Sequence, residues 1–171
     1  MIVLMAGLPG TGKSALADVL AARLSGTVLS KDSIRHALFA PHNIEYTTAQ
    51  DDFVMGIVLQ TAAWIFRSYP EQYLFLDGRP FSRSYQIDRV ASFASEHKQP
   101  CVILECTCSD DTAKARLETQ TLSGEHPAAN RIFQLYLDIK ARFEPITRTK
   151  FVIDTDRPFE ECIQQALQAI Q

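Results

Sequence analysis

Little in this chain would keep it from folding into a compact core. Glycine and proline are scarce, at seven and eight residues, and 46% of the sequence is hydrophobic against 22% charged. That balance excludes a disordered or low-complexity protein. No segment repeats at solenoid periods. There is no run of lysine and arginine, and the formal net charge is −3. Nothing general therefore draws the chain to a nucleic-acid backbone, and nucleic acid is not an expected partner. Long apolar runs are missing as well. A run such as Val54 to Leu59 is far short of the roughly 20 residues a membrane-spanning helix needs. No basic region precedes an apolar stretch and cleavage site at the N-terminus, as a signal peptide would require. None of the four cysteines (Cys101, Cys106, Cys108, Cys162) has CxxC spacing, and no histidine stands at ligand spacing beside them. Cys106-Thr-Cys108 can be weighed as a metal pair, but strand-end thiols in a reducing compartment are the plainer reading. The expectation is a soluble, cytoplasmic monomer with no membrane partner, built as one domain over residues 1–171.

What is present is a regular alternation. Short apolar, β-forming runs lie at 2–6, 27–30, 73–77, 101–105 and 151–154, and amphipathic helical patterns fall between them. Such a pattern predicts an α/β fold: a three-layer αβα sandwich with a five-stranded parallel sheet. The helices are expected at about 13–24, 32–39, 48–67, 84–97, from about 110, at 129–143 and from 158. The 48–67 helix carries apolar residues around most of its circumference (Phe53, Val54, Ile57, Val58, Trp64, Ile65), which predicts deep burial. Residues 40–50 and 120–128 are polar and read as loops, the second bearing Gly124 and Pro127. In such sheets, ligands bind at the carboxyl ends of the strands.

The first strand end carries Gly7-Leu8-Pro9-Gly10-Thr11-Gly12-Lys13-Ser14, a full GxxxxGK[ST] match placed after a strand and opening a helix. Glycines let the backbone wrap phosphate oxygens, and successive N–H groups and the helix N-terminus, with Ala15 in its first turn, point at the anion. Lys13 is placed to reach β- and γ-phosphates, and Ser14 to ligate Mg²⁺. The guanine-nucleotide signatures fail: Asp77 is followed by Gly-Arg-Pro, not by a glycine three residues on, and Asn-Lys-x-Asp is absent. By elimination the nucleotide is ATP.

Asp77, at the third strand end, is a candidate Mg²⁺ carboxylate, usually acting through water; its alternative is to cap a turn with Gly78. Asp32 follows the second strand and can serve either as the N-cap of a short helix or as the group that accepts the proton of an incoming hydroxyl. Arg35 lies one helical turn further on. Arg79 and Arg83 follow Asp77 closely, a pair able to fix a charged acceptor or stabilise transferred charge. Arg116 and Arg131 flank the 120–128 loop, which can close over the nucleotide as a lid at about 119–130.

Taken together, these segments resemble the small P-loop kinases of the adenylate-kinase-like type. The nearest pattern is that of bacterial ATP-dependent kinases related to the kinase half of phage polynucleotide kinase. Chloramphenicol phosphotransferase, zeta toxins and gluconate kinase are more distant. The likeness rests on residues 7–14, on Ser30-Lys-Asp32-Ser-Ile-Arg35, on Leu76-Asp77-Gly-Arg79-Pro-Phe-Ser-Arg83, and on Ala113-Lys-Ala-Arg116-Leu-Glu118. It implies that Asp32 is the general base, that Arg35 and the region of Asp77, Arg79 and Arg83 hold the acceptor, and that Arg116 lies near the adenine. The group often has a second lid arginine four residues beyond the one matching Arg116. Here that position is Gln120, leaving Arg131 as the candidate catalytic arginine. The resulting expectation is transfer of the γ-phosphate of ATP to a hydroxyl of a small acceptor, with Mg²⁺. The alternatives are a polynucleotide 5′-hydroxyl kinase, an ATP-binding switch module without transfer, and a toxin-type kinase. The region from Pro41 to Phe66, with Asn43, Glu45, Tyr46, Gln50 and Asp51, is expected to shape the acceptor pocket.

Overall fold

The structure, a computed structural model, describes residues 1–123 and 133–171, with the side chains of 121–123 left aside. Five strands form the sheet: β1 (Ile2–Ala6), β2 (Thr27–Ser30), β3 (Leu74–Asp77), β4 (Cys101–Thr107) and β5 (Phe151–Asp154). They pair in parallel in the order β2-β3-β1-β4-β5. The register sets Ser30 beside Asp77 and Ala6 beside Glu105, so the strand ends that carry the motifs lie along one edge of the sheet.

β1 is buried throughout, and its side chains alternate between two cores as a pleated strand requires. Val3 and Met5 face α1 (Lys13–Arg23) and α7 (Phe159–Ile170). Ile2, Leu4 and Ala6 face α3 (Thr48–Ser68) and α4 (Ser84–Glu96). This gives the three-layer αβα sandwich expected from the alternation. Truncating one of these fully buried β1 side chains, such as Leu4→Ala, costs about 2–5 kcal/mol.

Three local expectations change. Polarity alone does not end a helix, and α5 (Asp110–Ser123) includes residues 120–123, which the sequence assigned to a loop. The rest of the 120–128 loop, most of the expected lid and residues 129–132 lie outside the described residues; α6 is described as Phe133–Ala141. α3 is not buried all round. Met55, Val58, Leu59, Ala62 and Phe66 pack on the sheet and Val54 is buried, while Phe53 and Trp64 are 59% and 66% exposed, because the helix meets the sheet along one side only. Last, α2 (Lys31–Leu38) is capped by Ser30, whose Oγ accepts from Ser33 N–H at 3.3 Å, and Asp32 is left free of the capping role.

Candidate active site

The phosphate loop joins β1 to α1. Gly7 has φ +129°, and a Cβ there would stand 2.2 Å from the Cys106 carbonyl oxygen of β4, so only glycine lets the loop lie against its neighbouring strand. Within the loop, Thr11 Oγ1 and Lys13 Nζ both donate to Leu8 O, at 2.7 Å each. Lys13 is 4% exposed, its cation held over the cradle. Pro9 lines the cleft beyond the loop, and Ala15 is exposed in the first turn of α1. The loop N–H groups and the N-terminus of α1 together favour an anion here.

Ser14 Oγ donates to Asp77 Oδ2 at 2.6 Å. Asp77 is buried, and its other oxygen, Oδ1, has no hydrogen-bond partner. A hydroxyl paired with a carboxylate that retains an orphaned oxygen, beside a phosphate loop, is a donor set that fits Mg²⁺, a hard cation that takes few protein oxygens and keeps several waters.

Gly78 (φ +88°) lets the end of β3 close against the first turn of α2: a Cβ there would lie 2.9 Å from Asp32 N and 3.0 Å from Lys31 N. This approach sets Asp32 beside Asp77. Asp32 is buried and paired with Lys31 Nζ at 3.2 Å and Arg35 Nη1 at 3.6 Å. From the first turn of α3, Asp51 accepts from both Lys31 (2.7 Å) and Arg35. Arg35 is 1% exposed, and the Tyr46 ring stands 5.3 Å from its guanidinium carbon. Asp52, the next residue, binds Arg79 at 2.7 Å and accepts from Tyr85 Oη at 3.1 Å. Adjacent carboxylates on α3 thus neutralise cations from two different strand ends. Asp32, Arg35, Asp51, Tyr46 and Pro9 line a cavity of about 120 Å³. A second, of about 390 Å³, adjoins it and is lined by Arg79, Arg83, Tyr85, Arg142 and Glu144.

Arg83 pairs with Glu144 at 2.9 Å. The Glu144 carboxyl is held down at about 2, first by the Ser84 backbone N–H, then by Arg83 and the Ser84 hydroxyl. On the other flank of the phosphate loop, Arg116 donates to Thr155 Oγ1 (2.9 Å), Thr155 O (2.8 Å) and Gly10 O (3.3 Å). Arg131 lies outside the described residues. Cys106, behind the loop, has its thiol pushed up to about 12, chiefly by burial, which leaves it protonated and unsuited to nucleophilic work at neutral pH. Among the described residues no three His, Cys, Asp or Glu side chains gather as a metal cluster, and no helix is long and apolar enough to cross a membrane.

The structure therefore brings Lys13, Ser14, Asp77, Asp32 and Arg35 to neighbouring strand ends, with Arg79 and Arg83 one cavity further out. Motif reading missed Lys31, Asp52, Tyr85, Arg142 and Glu144. Asp52 was open to the signal that marked Asp51; the others have no spacing that sets them apart from surface charges.

The sequence matches the model of a family described as AAA domain over residues 2–146. No curated protein matches it. Among solved structures, the chain is similar to a candidate kinase from Chloroflexus aurantiacus J-10-fl, with 21% identity, TM-score 0.76 and coverage of 99% and 98% of the two chains. It is similar to the APS kinase of Mycobacterium tuberculosis in complex with AMPPNP and APS, at 16% identity, TM-score 0.74 and coverage of 99% and 96%. A gluconokinase from Sinorhizobium meliloti follows, at 16%, 0.70, and 99% and 90%. At such identities the likeness establishes a shared fold.

Proposed function

The chain belongs to this AAA-domain family, and from that premise we propose that it is a P-loop kinase moving the γ-phosphate of ATP, with Mg²⁺, to a hydroxyl of a small acceptor. The observation that carries the reading is one cavity whose walls include both Pro9 of the phosphate loop and the buried Asp32–Arg35 pair. A hydroxyl seated there meets a carboxylate on one side and the phosphate cradle on the other.

In this reading, residues 7–15 hold the ATP phosphates and Lys13 swings from Leu8 O to the β- and γ-oxygens. Ser14 and Asp77 hold Mg²⁺, which when bound neutralises phosphate charge. Asp32 accepts the hydroxyl proton as the acceptor oxygen bonds to the γ-phosphorus and the bond to the ADP oxygen breaks. Lys31 and Arg35 pair with Asp32 and hold it in place. Arg79 and Arg83 line the far side of the acceptor. Arg116 braces the nucleotide side, and Arg131 is the proposed arginine for the transferred phosphoryl. One domain carries both the cradle and the acceptor cleft.

The test is ADP release from ATP and Mg²⁺ across pooled hydroxyl acceptors, comparing wild type with Asp32→Asn and Lys13→Ala. A pool that stimulates release in the wild type alone, with ATP binding retained by Asp32→Asn, supports the kinase. Tight ATP binding with no stimulation by any pool would move the assignment to a nucleotide switch. Stimulation by oligonucleotides alone, falling steeply with salt, would move it to a polynucleotide kinase.

A further inference from the structure

Five cationic side chains line the two adjoining cavities of the acceptor cleft, and four of them are matched. Lys31 and Arg35 share Asp51 and Asp32, Arg79 has Asp52, and Arg83 has Glu144. The fifth, Arg142, lines both cavities, and among the described residues its side chain makes no ion pair or hydrogen bond.

The Arg142 side chain is exposed at the rim of the cleft, but the backbone that carries it is fixed. Its backbone N–H closes the last turn of α6 by donating to Ile139 O at 3.1 Å. Just before it, Lys140 is fixed to Asp110 at 2.6 Å and supplies the cation that suits the helix C-terminus. Just after it, Glu144 is clipped to the start of α4. Its carboxylate accepts from Ser84 N–H (2.7 Å), Ser84 Oγ (2.8 Å) and Arg83 (2.9 Å), and its own N–H donates to Ser82 O at 2.9 Å. Ile146 is then buried in the core. The segment carrying Arg142 is therefore anchored on both sides, and the nearest carboxylate along the chain is committed elsewhere.

A second observation points the same way. Arg35 is 1% exposed, and its Nε has no hydrogen-bond partner although the side chain lines the smaller cavity. Buried polar groups without partners are uncommon and mark places where a ligand atom or water belongs. The cleft thus holds more donors and more positive charge than its own carboxylates use, in a chain whose net charge is −3.

We propose that Arg142 binds a carboxylate or phosphate group on the acceptor, so that the substrate is a small hydroxyl-bearing anion. The hydroxyl end sits by Asp32 and the anionic end extends into the larger cavity. Which end reacts rests on the kinase reading; the anion site itself does not. A guanidinium matches either oxyanion bidentately, whereas a neutral acceptor would leave its donors to water.

The experiment measures equilibrium binding, by calorimetry, of two matched pairs of probes: D-gluconate with D-glucitol, and glycerol 3-phosphate with glycerol. Wild type, Arg142→Ala and Arg142→Lys are compared, and ADP release is followed in parallel. The anionic member of at least one pair should bind the wild type about tenfold or more tightly than its neutral partner. Arg142→Ala should erase that preference. Arg142→Lys should restore part of it, more for a phosphate than for a carboxylate. The pair showing the preference identifies the anion. Equal binding of neutral and anionic probes overturns the proposal, as do no measurable binding of either anion and a preference that survives in Arg142→Ala. So does a loss of kcat in Arg142→Ala with acceptor KM unchanged, which would assign the residue to the transferred phosphoryl. Arg142-dependent anion binding without ADP release supports the anion site and removes the kinase reading. Release stimulated by neutral acceptors and untouched by Arg142→Ala supports the kinase reading and removes the anion site.

Discussion

Ser14 Oγ donates to Asp77 Oδ2 at 2.6 Å while Oδ1 of the same carboxylate is buried without a partner. The two residues stand on α1 and β3, and this bond ties the start of the helix to the adjacent strand end. A single carboxylate oxygen left unmatched in a buried site is costly, and a hydrated divalent cation supplies what it lacks. Asp77→Asn keeps the shape and removes the charge. It should weaken Mg²⁺ binding in the presence of ATP by about 10- to 100-fold, while ATP binding in EDTA stays within about twofold of the wild type. Titrating a fluorescent ATP analogue with and without Mg²⁺ reads both. Equal losses in the two conditions would make Asp77 a structural residue.

Gly78 is the hinge on which Asp32 and Asp77 approach each other. Alanine there would hold φ near +88° and press its Cβ to 2.9 Å from Asp32 N, a backbone atom that cannot swing aside. Left-handed backbone alone costs about 1–2 kcal/mol for a residue with a Cβ, and the contact adds to it. Gly78→Ala should lower Tm by about 5 °C or more. It should also lower turnover further than stability accounts for, because the start of α2 must retreat and take Asp32 with it. Gly56→Ala is the control: in mid-α3 its Cβ would meet only the flexible end of Arg89, at 3.1 Å, so helix propensity makes it neutral or stabilising by about 0.5–1 kcal/mol. A Gly78→Ala protein as stable as the Gly56→Ala one would remove the argument.

The framework was legible because its determinants are local. An apolar run such as Ile2–Ala6 can be read as a buried strand from its own residues, and the glycines, Lys13 and Ser14 form a contiguous motif. Asp32, Arg35 and Asp77 could be picked out because strand ends are where ligands collect in such sheets. The neutralising shell was not legible, since it is assembled across elements. Which face of α3 meets the sheet decides that Asp51 and Asp52 point to Arg35 and Arg79 while Phe53 points outward. An apolar pattern wrapped around a helix does not encode that choice. Arg142 and Glu144 look like solvated charges after a helix. Only the packing of that segment on the start of α4 reveals that one clips and the other is left facing the cleft.

The Glu144 clip predicts a feature of acid unfolding. The carboxyl falls from its ordinary 4.5 to about 2 in the folded chain, held by Ser84 N–H, Arg83 and the Ser84 hydroxyl. A depressed carboxylate contributes stability that is complete above its unfolded value and is lost as pH falls through its folded one. The window is therefore pH 4.5 down to about 2. Glu144→Gln lacks the charge at every pH. Its Tm should lie below the wild type at pH 7 by an amount that is constant down to about 4.5 and then shrinks toward pH 2. Asp110, Asp156 and Glu160 are also held below their ordinary values, but they are common to both proteins and cancel in the difference. A gap that does not change with pH would mean that the carboxylate charge contributes nothing.

Arg116 offers a choice between two roles that one pair of ligands can separate. Its guanidinium bonds Thr155 Oγ1, Thr155 O and Gly10 O, and Thr155 Oγ1 in turn donates to Thr11 O at 3.1 Å and Thr107 O at 3.0 Å. These contacts join the turn after β5 to the phosphate loop. If Arg116 acts by bracing that loop, Arg116→Ala should weaken ATP and inorganic triphosphate alike, by about tenfold, with a stability loss of about 1–3 kcal/mol from unmatched carbonyl and hydroxyl groups. If it acts on the adenine, triphosphate binding should be spared and ATP should lose its advantage. Because every hydrogen bond Arg116 makes among the described residues is to Gly10 or Thr155, parallel loss is the expected outcome, and binding of both ligands by calorimetry decides it.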